Sequence, residues 1–280
     1  MKRLLLPFLF IVFSVNAQQK EIVDLKWKIS DTLTYKTVMK DIMVPQEENK
    51  SEKQNDTLFG GKANDFFKKM QEQTANLKYE TKLYPDKNGN IDIAMFLKTD
   101  KTDTIETLFS GMAKINGNVV LRGKVSMEGE LLSFYYKNSQ TNLIAILFEL
   151  PKEPIKVGDE WSLKVNLISM DQNFVAHTLY RKNKVRLEKI IEQNVDKIAV
   201  IKYDIEEYVS GDFGNGLMTM FAGESDKETY MKISHKATGL FSLNKGIWIE
   251  YDGIMEVDTN LSMLGMDGKK RTEFKLTPKN

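Results

Sequence analysis

The residues best suited to chemistry are few and far apart. His177 and His235 are the only histidines, and there is no cysteine. A catalytic zinc site takes about three protein ligands plus water, so the two histidines would have to meet and recruit a carboxylate. Thiolate nucleophiles, disulfides and zinc–thiolate sites are absent with the cysteines. Asp86-Lys87-Asn88-Gly89-Asn90-Ile91-Asp92 places oxygen-bearing residues at alternate positions, as a calcium loop does. An EF-hand loop wants glycine sixth and a bidentate glutamate twelfth, and those positions hold Ile91 and Leu97. The stretch therefore reads as a hairpin turn, and no metal site is expected.

Acidic residues recur as Asp204, Glu206 and Glu207 and as Glu250 and Asp252. A glycosidase works with two carboxylates across a cleft, but acids on alternating strands are usually the wet face of a sheet. The glycine-rich stretches Gly60-Gly61 and Gly211 to Gly216 lack the Lys-Ser/Thr of a phosphate loop, and neither G-x-S-x-G nor H-E-x-x-H occurs. No catalytic residue and no cofactor are expected. The more informative side chains are soft and apolar: Phe66, Phe67 and Met70 in the first half, Met218, Met220 and Phe221 in the second. Methionine fills cores, and it also suits a surface that must adapt to varied apolar ligands. These six are the candidate lining of a ligand site.

The elements that would carry them are mostly strands. Period-two alternation, the mark of a strand with one buried face, runs through Leu25, Trp27 and Ile29; Leu77 to Leu83; Ile91 to Leu97; Trp161 to Leu167; and Ala199 to Ile205. It recurs in Ile247, Ile249, Tyr251, Met255 and Val257 against Glu250, Asp252, Glu256 and Asp258. One-sided sheets are normally antiparallel. Asn88-Gly89, Asn116-Gly117 and Glu128-Gly129 supply hairpin turns. The fold expected is mainly β: antiparallel twisted sheet joined by hairpins, with one or two short covering helices. Residues 63–76 show helical spacing with Asn64 as N-cap. Residues 139–148 are apolar nearly all round, which suits a buried helix or a buried strand, the helix being preferred. Residues 45–57 are polar and charged, a loop by composition.

Leu150-Pro151-Lys152-Glu153-Pro154 is the candidate boundary. It divides an N-terminal β-rich half, 18–150, from a C-terminal antiparallel half, 151–280, as two subdomains or one continuous sheet. Ahead of both, Met1-Lys2-Arg3, the apolar run Leu4 to Phe13, and Val15 and Ala17 three and one positions before Gln18 form a signal-peptide pattern. Cleavage after Ala17 is expected, giving a secreted or periplasmic chain. The run is too short for a spanning helix and holds Pro7. With 40 basic and 39 acidic side chains, loss of Lys2 and Arg3 leaves a net charge of −1. No basic surplus marks a nucleic-acid partner, and no later apolar run reaches membrane-spanning length.

The stretch LPKEPIKVGDEW (150–161), the later Gly239-Leu240-Phe241-Ser242-Leu243 with Lys245-Gly246, and the acidic strand after it resemble an uncharacterised family of secreted β-rich envelope proteins of Gram-negative bacteria. The resemblance implies a periplasmic or surface location and carries over no functional residue. Together these features favour a non-enzymatic envelope protein that binds an apolar or amphipathic ligand. The alternatives are a structural or protein-interaction module working through its sheet edges or residues 45–57, and a hydrolase using an acid pair.

Overall fold

The computed structural model describes residues 21–43, 76–98, 119–135, 141–168, 174–213, 228–260 and 268–279. They form an eleven-stranded antiparallel sheet, a two-stranded ribbon and one helix. In chain order the elements are β1 (Ile22–Val23), β2 (Leu33–Met43), β3 (Asn76–Pro85), β4 (Asn90–Lys98), β5 (Val119–Ser126), β6 (Leu131–Tyr135) and α1 (Thr141–Phe148). Then follow β7 (Ile155–Lys156), β8 (Glu160–Trp161), β9 (Phe174–Gln193), β10 (Asp196–Phe213), β11 (Thr229–Ser242), β12 (Ile247–Thr259) and β13 (Gly268–Pro278). The sheet order is β6-β5-β4-β3-β2-β13-β12-β11-β10-β9-β8, and β1 pairs with β7. Strands from both sides of the Leu150–Pro154 stretch thus share one sheet, joined where β2 pairs with β13.

The sheet is curled, and two hydrogen bonds show how strongly. Trp27 N–H donates to Met127 O (2.8 Å), just past β5, and the adjacent Lys28 N–H donates to Gly246 O (3.2 Å), just before β12. Two consecutive amides bring those carbonyls within about 10 Å of each other. In a flat sheet β5 and β12, five strands apart, would be about 24 Å apart. Residues 21–29 therefore lie across one end of a curled sheet and close it.

At that end the turns are short: Asp86 to Gly89, Met127 to Glu130, Asn194-Val195, and Leu243 to Gly246. Asp86 accepts from the Asn88 and Asn90 amides (2.8 and 2.9 Å) and bonds Lys124 (3.4 Å). Its carboxylate is thus used inside a hairpin turn with Gly89 at φ 75°. At the opposite end, here the rim, the connections are long: 44–75 between β2 and β3, 99–118 between β4 and β5, 214–228 between β10 and β11.

The core fills the inside of the curl near the closed end. From Leu143 on, α1 carries only apolar residues, as an enclosed helix must, and Ile144 to Phe148 are at most 2% exposed. It lies so close to β5 that a Cβ on Gly123 would come 2.9 Å from Ile144 Cγ2. Its last-turn carbonyls, which have no partner within the helix, accept from indoles: Trp27 Nε1 to Phe148 O (3.2 Å) and Trp248 Nε1 to Leu147 O (2.6 Å). Inward stripes on β3, β4 and β10 are buried as alternation predicts.

Three expectations need correction. Leu25, Trp27 and Ile29 are buried but belong to no strand of the sheet. In the Trp161 to Leu167 stripe only Glu160–Trp161 is a strand; beyond it the chain bends at Lys164 and Leu167 while Leu163, Val165 and Leu167 stay buried. In β12 the register jumps from Leu240↔Glu250 to Phe241↔Trp248, so Ile249 is a bulge residue and the fully buried side chains are Trp248 and Tyr251. The helix expected at 63–76, the turn at Asn116-Gly117 and the loop at 45–57 lie outside the described residues, as do residues 1–20.

On the outer face Glu80 is held between Lys279 (2.5 Å) and Lys98 (2.8 Å). These bonds, Lys279 first, lower its pKa from 4.5 to about 2. A carboxyl depressed on folding stabilises the protein above its unfolded pKa, and that contribution is lost as pH falls through the folded value. Between about pH 5 and pH 2, urea midpoints of the native chain should therefore fall more steeply than those of Glu80→Gln. Parallel curves would show that the two lysines do not act on folding through Glu80.

Candidate functional site

The inner face of the sheet continues past the packed core towards the rim. Along β11 the inward side chains run Phe241, Gly239, Ala237, His235, Ile233, Met231; along β12 they run Tyr251, Gly253, Met255, Val257. Burial is complete as far as His235 and Gly253 and only partial at Ile233, Met231, Met255 and Val257. These four cross-strand neighbours (Ile233↔Val257, with His235↔Met255 below) make an apolar patch that the described chain covers incompletely.

Polar groups sit at the floor of this patch. His235 is 1% exposed and its Nε2 lies 2.6 Å from the Tyr251 hydroxyl, with the rings stacked at 7°. Tyr203 packs edge-on against Tyr251 at 5.1 Å. Room for the imidazole comes from Gly253, where a Cβ would stand 2.6 Å from Ala237 Cβ and 3.2 Å from His235 Cε1. Burial lowers the His235 pKa to about 4 and pushes the hydroxyls of Tyr203 and Tyr251 well above their ordinary value. The imidazole is neutral at neutral pH, with one N–H and one bare nitrogen. Its Nδ1 is buried and has no hydrogen-bond partner among the described residues.

Beside the patch, the segment after β8 is held inside the curl by side chains rather than by strand pairing. Asn183 accepts from Leu163 N–H (3.1 Å) and donates to Leu163 O (2.8 Å). Glu149 accepts from Lys164 N–H (3.0 and 3.1 Å), and Glu207 from Ile168 N–H (2.9 Å). Both carboxylates are buried, and burial raises the Glu149 pKa. Unpaired buried carboxylates would be costly; these accept from main-chain amides, and Glu207 also has Arg181 Nε at 4.0 Å.

The two histidines do not meet. His177 is exposed near the rim between Glu228 (3.2 Å) and Asp212 (3.5 Å), whereas His235 is buried. Among the described residues no group of three or more histidine, aspartate or glutamate side chains is placed to hold a metal. Nor do the acids of β10 form one site. Asp204 and Glu206 pair with Lys182 and Lys232 on the outer face, and Glu207 points inward. Glu250 and Asp252 share Lys275 (2.5 and 3.9 Å).

Phe66, Phe67 and Met70 fall in the β2–β3 connection and Met218, Met220 and Phe221 in the β10–β11 connection, all outside the described residues. Both connections leave the sheet at the rim, the end to which the partly covered patch belongs. Alternation did not single out His235 or Glu207 as site residues, yet each stands at an apolar parity, between Ile233 and Ala237 and between Ile205 and Val209. A polar residue at such a position was the available signal.

No protein-family model matches the chain, and no curated protein matches it in sequence. Among the described residues no helix is long and apolar enough to cross a membrane.

Proposed function

We propose that the protein is an extracytoplasmic, non-enzymatic binding protein that takes an apolar or amphipathic ligand on the rim half of its curled sheet. The observation that carries this reading is the Met231, Ile233, Met255 and Val257 patch, apolar and inward-facing yet only partly covered by the described chain. Methionines let such a surface adapt to chains of varied shape. Small-ligand sites pair apolar walls with a few placed polar groups, and His235, whose Nδ1 has no partner among the described residues, is buried directly beneath the patch. The basic, apolar and small-residue pattern ending at Ala17 supports export.

The test is native mass spectrometry of protein purified from its own cells, with organic extraction of whatever is released. A defined adduct is expected on the native chain and is expected to be lost from Ile233→Asp/Val257→Asp, which puts charge on the patch. An apo mass for the native chain, with no binding of a dansylated fatty acid in titration, would overturn the reading. The N-terminal residue of the same preparation should be Gln18.

A further inference from the structure

The exposed histidine, His177, is aimed by the fold. It sits in β9 where the register with β10 slips: Thr178 pairs with Ser210 and Ala176 with Gly211, which leaves His177 as the unpaired residue of a bulge. A bulge re-aims the side chain it carries. The strand opposite is shaped for it, since a Cβ on Gly211 would stand 2.1 Å from Val175 O and 3.0 Å from Ala176 Cα.

The ring that results has a carboxylate at each nitrogen. Glu228 Oε1 lies 3.2 Å from Nδ1 and Asp212 Oδ2 lies 3.5 Å from Nε2. Asp212 belongs to β10 and Glu228 directly precedes β11, so one ring on β9 ties the rim ends of two further strands. Glu228 is itself fixed from the end of β12, where Asn260 donates to Glu228 O (2.8 Å) and accepts from Tyr230 N–H (2.7 Å). Among the described residues Asp212 and Glu228 are the charged groups that face the ring, and neither has another ion-pair partner.

A carboxylate at both nitrogens suits one protonation state. The imidazolium donates from both, whereas a neutral ring donates from one and turns a lone pair towards the other carboxylate. Deprotonation also leaves Asp212 and Glu228 with no cation between them. We propose that His177, Asp212 and Glu228 form a pH-sensitive clasp, fastened by the imidazolium and released when the ring loses its proton, which sets how firmly the rim ends of β9, β10 and β11 hold together. The three side chains are between 45% and 65% exposed, so water screens each pair and the effect on local opening is modest, about threefold. Met231 of the apolar patch follows Glu228 by three residues, so the clasp acts on the strand that carries the proposed ligand surface.

The test needs no ligand, which separates it from the binding reading. Amide exchange of the full chain is measured at about pH 5.5 and about pH 8, either side of the range in which imidazoles ordinarily titrate, and each rate is divided by the intrinsic rate at that pH. Protection of the Tyr230 amide should fall about threefold at the higher pH. That of Ile201, deep in β10, should not fall, since the buried, neutral His235 makes the whole fold more stable at the higher pH. His177→Gln keeps one donor and one acceptor at every pH, so the step at Tyr230 disappears, and Asp212→Asn, which removes one of the two charges, shrinks it. The proposal fails if Tyr230 protection does not fall in the native chain, if the step survives His177→Gln, or if Ile201 falls in parallel, which is a global loss of stability.

Discussion

Trp248→Ala should lower stability by about 4 kcal/mol, enough to move the thermal midpoint of a chain this size by roughly 10 °C. The side chain is fully buried, with Phe241 edge-on at 5.1 Å and Tyr251 at 6.0 Å. Gly239 exists to admit it, since a Cβ there would lie 2.5 Å from the indole ring. Truncation leaves a cavity that rigid neighbours cannot fill, and it strips the Leu147 carbonyl of its donor. Trp248→Phe separates the two effects: it keeps most of the packing and should cost about 1–2 kcal/mol for the lost hydrogen bond. Urea unfolding followed by circular dichroism measures both. A loss below about 1 kcal/mol for the alanine variant would mean that α1 is not anchored through this indole.

Trp248 also shows where alternation stops being informative. The run Ile247, Ile249, Tyr251 reads as a single face, but the bulge at Ile249 turns Trp248 inward three residues before Tyr251. A bulge inserts one unpaired residue and leaves no mark in a sequence whose residues on either side are equally apolar. In Ile91 to Leu97 and Ala199 to Ile205 the extra residue of each register shift lies on the partner strand, Val120 on β5 and Glu188 on β9, and the stripes are buried as read, with Val200 buried besides. Leu25 to Ile29 and Leu163 to Leu167 show the other limit. Alternation reports that an extended chain has one buried side; whether its main chain pairs with a neighbour depends on what lies across the fold.

The partly covered patch was legible only in pieces. Met255 and Val257 stood out as strand residues, yet their meeting with Ile233 and Met231 depends on which strands are neighbours, and sequence alternation carries no strand order. The long connections holding Phe66, Phe67, Met70, Met218, Met220 and Phe221 share an end of the sheet for a topological reason: every second turn of an antiparallel meander falls on the same side. Glu207 was grouped with Asp204 and Glu206 by proximity along the chain, whereas parity separates it from both and sends it towards Ile168. β8 is two residues long, and nothing in Glu160-Trp161-Ser162 alone foretells that the strand ends there.

Gly246→Val should have the larger effect of two substitutions at left-handed glycines, and the comparison identifies what holds the curl closed. Gly246 has φ 62° and Gly89 φ 75°, so backbone strain alone would cost each about 1–2 kcal/mol. Around Gly89 nothing lies within 4 Å of an added Cβ, and Gly89→Val should cost little more than that strain. At Gly246 the added Cβ would stand 2.5 Å from Lys28 N and 2.6 Å from Lys26 O, main-chain atoms that cannot swing aside. The Lys28-to-Gly246 bond must break, and with it goes the bridge between the β11–β12 and β5–β6 turns. Leu25 and Trp27, at most 2% exposed, then lose their cover, each worth about 2 kcal/mol of burial. A total near 5 kcal/mol follows. The native chain should resist trypsin at Lys26 and Lys28, and Gly246→Val should be cut there first while Gly89→Val is not. Equal resistance in all three would mean that residues 21–29 are held by β1 and the Trp27 indole, and that the contact at Gly246 does not set the curvature of the sheet.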